Sequence, residues 1–393
     1  MNSNTLVSQR CHIAFFGRTN AGKSSVVNAI SNQNLSIVSE IKGTTTDVVK
    51  KTMEILPLGA VVLIDTAGYD DTSLIGEKRI EKTLEVLNKI DVAIVVVDAS
   101  LGLEVQDREF IQKLKTKNIP YLVVYNKSDI SKSNQEGIYV SAKTKEGIEE
   151  LKEKIAQFAL QNKTPEKFII KDKINPKDTV VLVIPIDEAA PKGRLILPQQ
   201  NTLRELLDYH IKVICVQPDE LKEVIENFKT SIKLIITDSQ VFNKIKDIVP
   251  KDIFLTSFSI LFARYKGNLG YLIEGVKQIE NLKDNDTILI SEGCTHHRQC
   301  NDIGSVKIPK WLHEYTGKKL NFEFTSGGDF PKNFDKYSLV IHCGGCMLNV
   351  KEMENRINIV QQNKVKIVNY GVLIAFLNGI LKRSIQIFKE YQL

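Results

Sequence analysis

The feature that most constrains the fold is a glycine-rich loop, GRTNAGKSS, at residues 17–25. The apolar run HIAFFG precedes it and the helically spaced segment SVVNAI follows it, which is the strand–loop–helix setting that a phosphate-binding loop requires. Gly17, Gly22, Lys23 and Ser24 complete the G-x-x-x-x-G-K-[ST] pattern. In such a loop backbone N–H groups surround the phosphates, the lysine reaches the β and γ oxygens, and the serine hydroxyl binds Mg²⁺. An α/β nucleotide-binding domain is therefore predicted at the N-terminal end.

Two further apolar runs end in polar motifs that suit a nucleotide site. VVLIDTAG ends with Asp65, which can hold Mg²⁺ through water, and Gly68, whose N–H can bind the γ-phosphate. YLVVYNKSD ends with Asn126, Lys127 and Asp129. The two carboxylate oxygens of Asp129 can accept hydrogen bonds from N1–H and the 2-amino group of guanine, a pair of donors that adenine does not present. The motifs therefore predict GTP, and not ATP, as the ligand.

In this order, GRTNAGKSS, GTTTD, DTAG and NKSD resemble the motifs of the translation-factor-like GTPases, and specifically those of the TrmE/Era branch. The resemblance implies that Thr44 or Thr45 is the switch threonine on Mg²⁺, and that Asn20 holds a K⁺ ion where an arginine finger would lie. The implied catalytic residues are Lys23, Ser24, Thr45, Asp65 and Gly68. Five more positions are implied as nucleotide contacts, Ala21, Ser25, Ser141, Ala142 and Lys143.

The segment after the DTAG motif is expected to form the second switch. Tyr69 stands directly after Gly68, so no glutamine is placed there to orient the attacking water. Asp70, Asp71 and Glu77 lie just downstream, and the sequence leaves open whether one of them is a catalytic acid or whether they form a solvated loop. Together with the K⁺ ion that the resemblance implies at Asn20, the absence of that glutamine makes slow GTP hydrolysis stimulated by K⁺ the expected activity.

After QNKTPEKF, a polar stretch suited to a linker, the alternation of strand and helix restarts. Four short apolar runs, TVVLVIPI, KVICVQ, KLIITD and DIFLT, are separated by segments with helical spacing, which predicts a second parallel-sheet unit. Cys215, in the middle of KVICVQ, is expected to be a buried thiol that fills core space. The apolar segment TSFSILFARYKGNLGYLIEGV is either an association surface or an ordinary buried helix.

The C-terminal third repeats this alternation and places soft metal ligands after two of its strands. Cys294 and His296 follow TILISEG, whereas His342, Cys343 and Cys346 follow SLVI. Because parallel strands end at the same edge of a sheet, these groups can converge in one crevice. Three thiolates, two of them in C-x-x-C spacing, suit an iron–sulfur cluster or zinc. Cys346 is also expected to begin a helix, whose N-terminal N–H groups favour an anionic cluster.

The pattern C-x-H followed by H-C-x-x-C resembles the HydF family, GTPases that act as scaffolds in FeFe-hydrogenase maturation. The likeness extends to APKGRLILPQ, TSFSILFARYKG, EGCTHHRQC, CNDIGSVKIPKWL, VIHCGGCMLN and NYGV, so it covers essentially the whole chain. It implies three α/β domains: a P-loop GTPase domain at 1–166, a dimerisation domain at 167–275 and a 4Fe-4S cluster-binding domain at 276–393. A homodimer is implied as well.

The resemblance also implies a function, which is to assemble a transient di-iron precursor and transfer it to the FeFe-hydrogenase apoprotein. Two radical-SAM maturases are the other implied partners, and GTP, Mg²⁺, K⁺ and a 4Fe-4S cluster are the implied cofactors. The expected firm cluster ligands are Cys294, Cys343 and Cys346. The replaceable fourth position is left open among Glu292, His296 and His342, with a carboxylate as the weaker ligand for iron. In an extended segment Glu292 and Cys294 would project to the same side.

The composition of the chain limits the classes of partner and the cellular compartments that are expected for it. The 53 basic and 47 acidic residues give a net charge of +6 with no dense basic block, which argues against nucleic acid or an anionic membrane as a partner. No uncharged apolar run approaches the ~20 residues that span a bilayer, and the N-terminus lacks the pattern of a signal peptide. Six cysteines are too few for a secreted disulfide scaffold. A cytoplasmic location is therefore expected.

One alternative function remains open at this point. The chain could be a TrmE/Era-like regulatory GTPase that acts on RNA or the ribosome and carries a structural zinc. In that case Cys294, His296, Cys343 and Cys346 would make a closed four-ligand site. The absence of a basic domain with interleaved aromatic residues weighs against this alternative.

Overall fold

A computed structural model of the chain describes residues 10–32, 49–70, 76–131, 135–162, 167–186, 192–294 and 302–391. The chain separates into two compact units, residues 1–166 and residues 167–393. Both units alternate strands with helices, so the predicted α/β class is confirmed. No helix in these described ranges is long and apolar enough to cross a membrane.

The first unit contains a six-stranded sheet flanked by helices. Its strands are β1 (Cys11–Phe16), β2 (Val49–Ile55), β3 (Gly59–Asp65), β4 (Val92–Asp98), β5 (Tyr121–Asn126) and β6 (Ile138–Tyr139). Its helices are α1 (Lys23–Ser31), α2 (Gly76–Val86), α3 (Val105–Thr116) and α4 (Ile148–Gln161). The strand order is β2-β3-β1-β4-β5-β6, and β2 alone is antiparallel to its neighbour.

Alternate residues of β1 supply two separate cores, as expected for a strand buried on both faces. Ile13 and Phe15 pack with α1 and α4 on one face, whereas Ala14 and Phe16 pack with α2 and α3 on the other. Strand β2 was not predicted from sequence. It lies at the sheet edge, where its exposed positions are polar, and its sequence VKKTMEI therefore lacks the apolar run of a buried strand.

The second unit contains two four-stranded parallel sheets. The first sheet, in the order β10-β9-β7-β8, is formed by β7 (Thr179–Val183), β8 (Lys212–Val216), β9 (Ile232–Thr237) and β10 (Phe254–Ser257). The second sheet, in the order β12-β11-β13-β14, is formed by β11 (Thr287–Glu292), β12 (Asn321–Ser326), β13 (Tyr337–His342) and β14 (Lys366–Asn369). One continuous hydrophobic core joins the two sheets.

The helices of the second unit are α5 (Leu197–Asp208), α6 (Leu221–Phe228), α7 (Phe242–Ile245), α8 (Phe258–Lys266), α9 (Leu269–Gly275), α10 (Ile308–Thr316), α11 (Val350–Gln362), α12 (Tyr370–Leu377) and α13 (Leu381–Ser384). Short 3₁₀ turns occupy Lys171–Lys173, Ser239–Val241 and Val276–Asn281, and a π-helical turn occupies Ile303–Lys307. The predicted boundary between a domain at 167–275 and one at 276–393 stays a prediction.

Two expectations about side-chain burial have clear outcomes. The apolar segment that contains α8 and α9 buries four large side chains in the core of the second unit, those of Phe258, Leu261, Phe262 and Leu272. Of the two alternatives, α8 and α9 are therefore ordinary buried helices. The prediction that Cys215 is buried is wrong, since its side chain is exposed. The reason is that β8 is an edge strand, which its apolar run of four residues, VICV, does not reveal.

Candidate functional site

The phosphate-binding loop joins β1 to α1. Gly22 caps α1 with φ of 90°, and an added Cβ there would lie 2.2 Å from Asn126 Nδ2, so a larger residue does not fit. Lys23 is buried, and its Nζ donates to the carbonyl oxygens of Gly17 at 3.0 Å and Arg18 at 2.9 Å. Burial lowers the pKa of Lys23. The loop therefore holds a desolvated ammonium group, which an anionic phosphate would stabilise.

Ser24 and Asp65, the residues predicted to bind Mg²⁺, are hydrogen-bonded to each other. Ser24 Oγ donates to Asp65 Oδ2 at 2.5 Å, and burial raises the pKa of the Asp65 carboxyl. The other carboxylate oxygen, Oδ1, is buried and has no hydrogen-bond partner among the described residues. An orphaned buried oxygen is costly, and a hard divalent cation would satisfy it, so the pair fits Mg²⁺. Thr44 and Thr45, the predicted switch threonines, lie outside the described residues.

The predicted guanine-recognising groups come from the loops that follow β5 and β6. Asn126 connects them to the phosphate-binding loop, because its Nδ2 donates to Ala21 O at 3.1 Å and its Oδ1 accepts from the Ala142 N–H at 3.1 Å. Ser141 Oγ donates to one oxygen of Asp129 at 2.7 Å and so orients that exposed carboxylate. The structure thus brings these residues together at the C-terminal edge of the parallel strands.

The start of the second switch is anchored by contacts that the sequence did not reveal. The Tyr69 hydroxyl donates to the buried carboxylate of Asp107, and its ring stacks on Phe110 at 4.5 Å. Asp70 Oδ1 accepts hydrogen bonds from the Thr19 N–H at 2.7 Å and from Thr19 Oγ1 at 2.9 Å. Asp70 therefore binds the phosphate-binding loop in this structure.

The remaining predicted nucleotide residues are placed as follows. Lys127 has a left-handed φ of 66°, and its Nζ pairs with Asp98 Oδ2 at 2.6 Å. An added Cβ at Gly68 would lie 2.5 Å from Thr19 Oγ1, so the chain approaches the loop closely there. Exposed side chains are also found at Asn20, Ser25 and Lys143. The side chains of Asp71 and Glu77 lie outside those that the structure describes.

The predicted metal-binding cysteines lie at one edge of the second sheet of the second unit. Strands β11 and β13 are parallel neighbours, and Cys343 directly follows β13. The Cys343 sulfur accepts hydrogen bonds from the N–H groups of Gly293 at 3.1 Å and Gly345 at 3.4 Å. The thiols of Cys294 and Cys346 are hydrogen-bonded to each other. We name the loop from Cys343 to Asn349 the cysteine loop.

The expectation that Cys346 begins a helix is wrong. Cys346 lies in a turn, and α11 begins at Val350 with Asn349 as its N-cap, whose side chain accepts the Glu352 N–H at 2.8 Å. Asparagine is a strong N-cap residue, and Gly345, with a left-handed φ of 60°, keeps the preceding chain out of the helix. The backbone donors at Cys343 are therefore those of loop glycines and not those of a helix terminus.

The three thiols differ in their electrostatics. Burial raises the pKa of Cys343 to about 11, although its two N–H hydrogen bonds act in the opposite direction. The hydrogen bond between Cys294 and Cys346 lowers the pKa of the Cys346 thiol and raises that of Cys294. In the described ranges, no group of three or more His, Cys, Asp or Glu side chains is arranged to hold a single metal ion.

His342, one of the predicted candidates for the fourth ligand, is fully buried with both ring nitrogens engaged. Its Nδ1 lies 2.8 Å from Cys343 O, and its Nε2 lies 3.1 Å from Nη1 of Arg356. Burial, with Arg356 beside it, lowers the pKa of His342 to about 4, so the imidazole is neutral near pH 7. Because a guanidinium is always a donor, Nε2 accepts and Nδ1–H donates to the Cys343 carbonyl. This arrangement supports the cysteine loop and leaves no free nitrogen.

Glu292, the second candidate, is buried, and its Oε1 accepts a hydrogen bond from the Tyr370 hydroxyl at 3.2 Å. An added Cβ at Gly304 in the π-helical turn would lie 2.8 Å from the same oxygen. Strand β11 ends at Glu292 and the chain then bends, so the premise of an extended segment to Cys294 does not hold. His296, the third candidate, lies outside the described residues. The identity of the fourth ligand stays a prediction.

Two buried cations at this site were missed in the sequence. Lys266 is 2% exposed and Arg356 is 3% exposed. Each stands at a position where helical spacing calls for an apolar residue: Lys266 follows Phe262 by four, and Arg356 follows Met353 by three. A lone charge on the apolar face of a helix was the signal that could have found them.

Three family models match the chain. Residues 12–127 match the 50S ribosome-binding GTPase model, which agrees with the nucleotide-site geometry of the first unit. Residues 169–267 match the Hydrogen maturase F dimerization domain, and residues 270–387 match the Hydrogen maturase F tetramerization domain. The chain belongs to the hydrogen maturase F family. The family is that of the hydrogenase maturase GTPases, and its two C-terminal domains support assembly of the chain into oligomers.

Curated relatives resemble the GTPase part of this hydrogen maturase F family member. The tRNA modification GTPase MnmE of Dechloromonas aromatica is 32% identical over 179 residues, which is 43% of this chain and 39% of the relative. The MnmE of Clostridioides difficile is 39% identical over 153 residues, which is 35% of this chain and 32% of the relative. The chain thus spans less than half the length of these relatives.

Two solved structures are similar in fold to part of the chain. Era in complex with MgGDPNP and nucleotides of 16S ribosomal RNA is 21% identical, with a TM-score of 0.34, over 53% of this chain and 92% of Era. The G domain of the T. maritima FeoB iron transporter is 22% identical, with a TM-score of 0.30, over 38% of this chain and 99% of that domain.

Proposed function

We propose that this chain is a GTP-hydrolysing scaffold that holds a 4Fe-4S cluster on Cys294, Cys343 and Cys346. Its cargo would be the di-iron precursor of FeFe-hydrogenase, which it assembles and transfers to the apo-hydrogenase. Two radical-SAM maturases would supply the non-protein ligands of that cargo. The observation that carries the proposal is the convergence of three thiols at one sheet edge, in a unit that matches two hydrogen maturase F domains.

The donor chemistry of the site fits a thiolate-bound cluster. Iron–sulfur clusters are held by cysteine thiolates, and hydrogen bonds to the sulfur atoms tune them. Here Cys343 accepts two backbone N–H bonds, and the lowered pKa of Cys346 favours its thiolate. When bound, the cluster would supply an iron site to which the cargo can attach. Glu292 or His296 would be the replaceable fourth ligand, since the ring nitrogens of His342 are engaged elsewhere.

The first unit would control this cargo site. Lys23 and Ser24 bind the phosphates and Mg²⁺, Asp65 holds the cation through water, and GTP hydrolysis then regulates binding or release of the cargo without building it. Asn20 would hold the K⁺ ion. Because free thiols and a labile cluster need a reducing compartment, a cytoplasmic location belongs to the same proposal.

A second candidate is a TrmE/Era-like regulatory GTPase that acts on RNA or the ribosome through a domain with a structural zinc. The matches to MnmE fit only the GTPase part of this alternative. Residues 169–267 and 270–387, in contrast, match domains of the maturase family. The scaffold is therefore the better-supported function.

Transfer of cargo tests the scaffold proposal. The full chain, co-produced with the two radical-SAM maturases and purified anaerobically, is mixed with apo-hydrogenase, and hydrogen evolution is measured. We expect Cys346→Ser to lower the activation at least about hundredfold, because a cluster ligand is lost. The matched control is Cys215→Ser, since Cys215 is an exposed cysteine on β8. Equal activation by both variants would contradict the proposed role of the cysteine loop.

Potassium dependence is a separate prediction for the first unit. GTP turnover in KCl is expected to exceed turnover in NaCl of equal ionic strength by about tenfold or more, because a cation at Asn20 would replace an arginine finger. Asn20→Ala is expected to remove the difference, and Asn162→Ala, at the end of α4, serves as the control. Phosphate release measures the rate. Equal rates in both salts for the unsubstituted chain would exclude a catalytic K⁺ site.

A further inference from the structure

A buried lysine lies beneath the cysteine loop. Lys266 is the last residue of α8. Its Nζ donates to the carbonyl oxygens of Gly345 at 2.9 Å, Cys346 at 2.8 Å and Leu348 at 2.7 Å. An ammonium group has three donors, so these three carbonyls satisfy its hydrogen-bonding capacity. The Lys266 side chain, at the end of α8, therefore holds the backbone of the cysteine loop at Gly345, Cys346 and Leu348.

The charge of this lysine is not neutralised by an acid. Within the described ranges no carboxylate forms an ion pair with Lys266, and its three hydrogen-bond acceptors are neutral carbonyl oxygens. Burying an ammonium is costly unless the surroundings supply negative charge as well as hydrogen bonds. Negative charge on the cysteine sulfurs would stabilise the folded arrangement.

The orientation of the loop follows from these contacts. Because three carbonyl oxygens of the cysteine loop point to Lys266, that edge of the loop is tied to α8. The Gly345 N–H is in turn directed to the Cys343 sulfur. Gly345 lies in the left-handed region, and an added Cβ would lie 3.2 Å from Met353 Sδ, so the backbone there has little room to adopt another path. Lys266 thus fixes the backbone that places two of the three thiols.

We propose that Lys266 is a positioning residue of the cysteine site, which fixes the cysteine loop and supplies the positive charge that an anionic iron–sulfur cluster requires. This inference rests on the proposed function, because it concerns the cluster that Cys294, Cys343 and Cys346 would hold. The contacts with Gly345, Cys346 and Leu348 carry it. Two effects follow, an ordered loop in the metal-free chain and a higher reduction potential of the bound cluster.

The test compares three full-length variants with the native chain. Lys266→Met removes the charge at similar length, and Lys266→Arg keeps it. The matched control is Arg264→Met, because Arg264 is a partly buried cation on the same helix that binds the carbonyls of Phe168 and Ile169 and pairs with Asp172, away from the cysteine loop. Each chain is reconstituted anaerobically with iron and sulfide, and the reduction potential is measured by an EPR-monitored titration.

We expect Lys266→Met to disfavour cluster reduction at least about tenfold, which corresponds to about 59 mV for a one-electron couple. Lys266→Arg and Arg264→Met are expected to keep the native potential. A potential that is native in Lys266→Met, or that falls equally in Arg264→Met, would overturn the inference. If the native chain itself takes up no cluster, the proposed function and the inference both fail. If the native chain takes up a cluster and Lys266→Met leaves its reduction potential unchanged, only the inference fails.

Hydrogen exchange of the metal-free chains covers the case in which Lys266→Met takes up no cluster. Faster exchange confined to residues 344–348, with protected amides in β13 and β14, supports the positioning role. Unchanged exchange at 344–348 overturns it. Faster exchange throughout the second unit also overturns it, because a general loss of folding would then explain the missing cluster.

Discussion

Replacing Cys343 by serine is expected to remove the iron–sulfur cluster from this chain while leaving the fold intact. Cys343 directly follows β13, and its sulfur accepts the Gly293 and Gly345 N–H bonds. A serine oxygen can keep those two hydrogen bonds, but a hydroxyl is a hard, weak ligand for iron in a thiolate cluster. The iron and sulfide content should fall from about four of each per chain to less than about one.

Anaerobic reconstitution followed by iron and sulfide analysis measures this effect, and far-ultraviolet circular dichroism checks the fold. Cys215→Ser is the matched control, because it is the same chemical change at an exposed position on β8. The control should retain the native content. A Cys343→Ser chain that keeps about four iron and four sulfide would show that Cys343 does not bind the cluster.

The second large effect is a reversal of nucleotide selectivity by Asp129→Asn. Asp129 is expected to accept hydrogen bonds from N1–H and the 2-amino group of guanine through its two carboxylate oxygens. Ser141 Oγ holds one of those oxygens at 2.7 Å, so the amide of the variant should keep its Oδ1 at that position and turn its Nδ2 to the base. Donor would then face donor, and loss of two charge-assisted hydrogen bonds should weaken GTP binding about 10³-fold.

Xanthine nucleotides provide the positive half of this experiment. Xanthine carries a carbonyl at C2 in place of the amino group, and this carbonyl can accept from the amide of the variant. Affinity for xanthosine triphosphate should therefore rise as affinity for GTP falls, as measured by calorimetric titration of both nucleotides. Glu153→Gln, an exposed change of the same kind on α4, should alter neither affinity. Equal weakening of both nucleotides by Asp129→Asn would contradict direct contact with the base.

The parts of the fold that follow from buried apolar runs could be predicted from the sequence. HIAFFG, VVLID and YLVVY are strands because both faces of a parallel sheet are covered, which removes the polar half of the pattern. Strand β2 could not be predicted in this way, because an edge strand keeps polar residues on its exposed side and so lacks an apolar run. The same cause explains the error at Cys215, since a short apolar run does not reveal whether a strand is central or at an edge.

The candidate sites also contain some features that the sequence predicts and others that it does not. The convergence of the cysteines could be predicted because they follow two apolar runs, and the ends of parallel strands meet at one edge of a sheet. The expectation that Cys346 begins a helix is wrong because α11 begins after the cap residue Asn349, four residues later than predicted. The roles of Lys266 and Arg356 could not be assigned from sequence. Lys266 contacts a loop residue 79 positions further along the chain, and Arg356 contacts His342 at the end of β13. Periodicity shows that such a charge is buried but does not show what it binds.

Metal content of the native chain tests the central claim most directly. The chain is purified anaerobically, iron, sulfide and zinc are determined, and EPR spectra are recorded after reduction. The scaffold account predicts about four iron and about four sulfide per chain, together with a reduced-cluster signal. One zinc per chain with no sulfide would contradict it and would leave a regulatory GTPase with a structural metal.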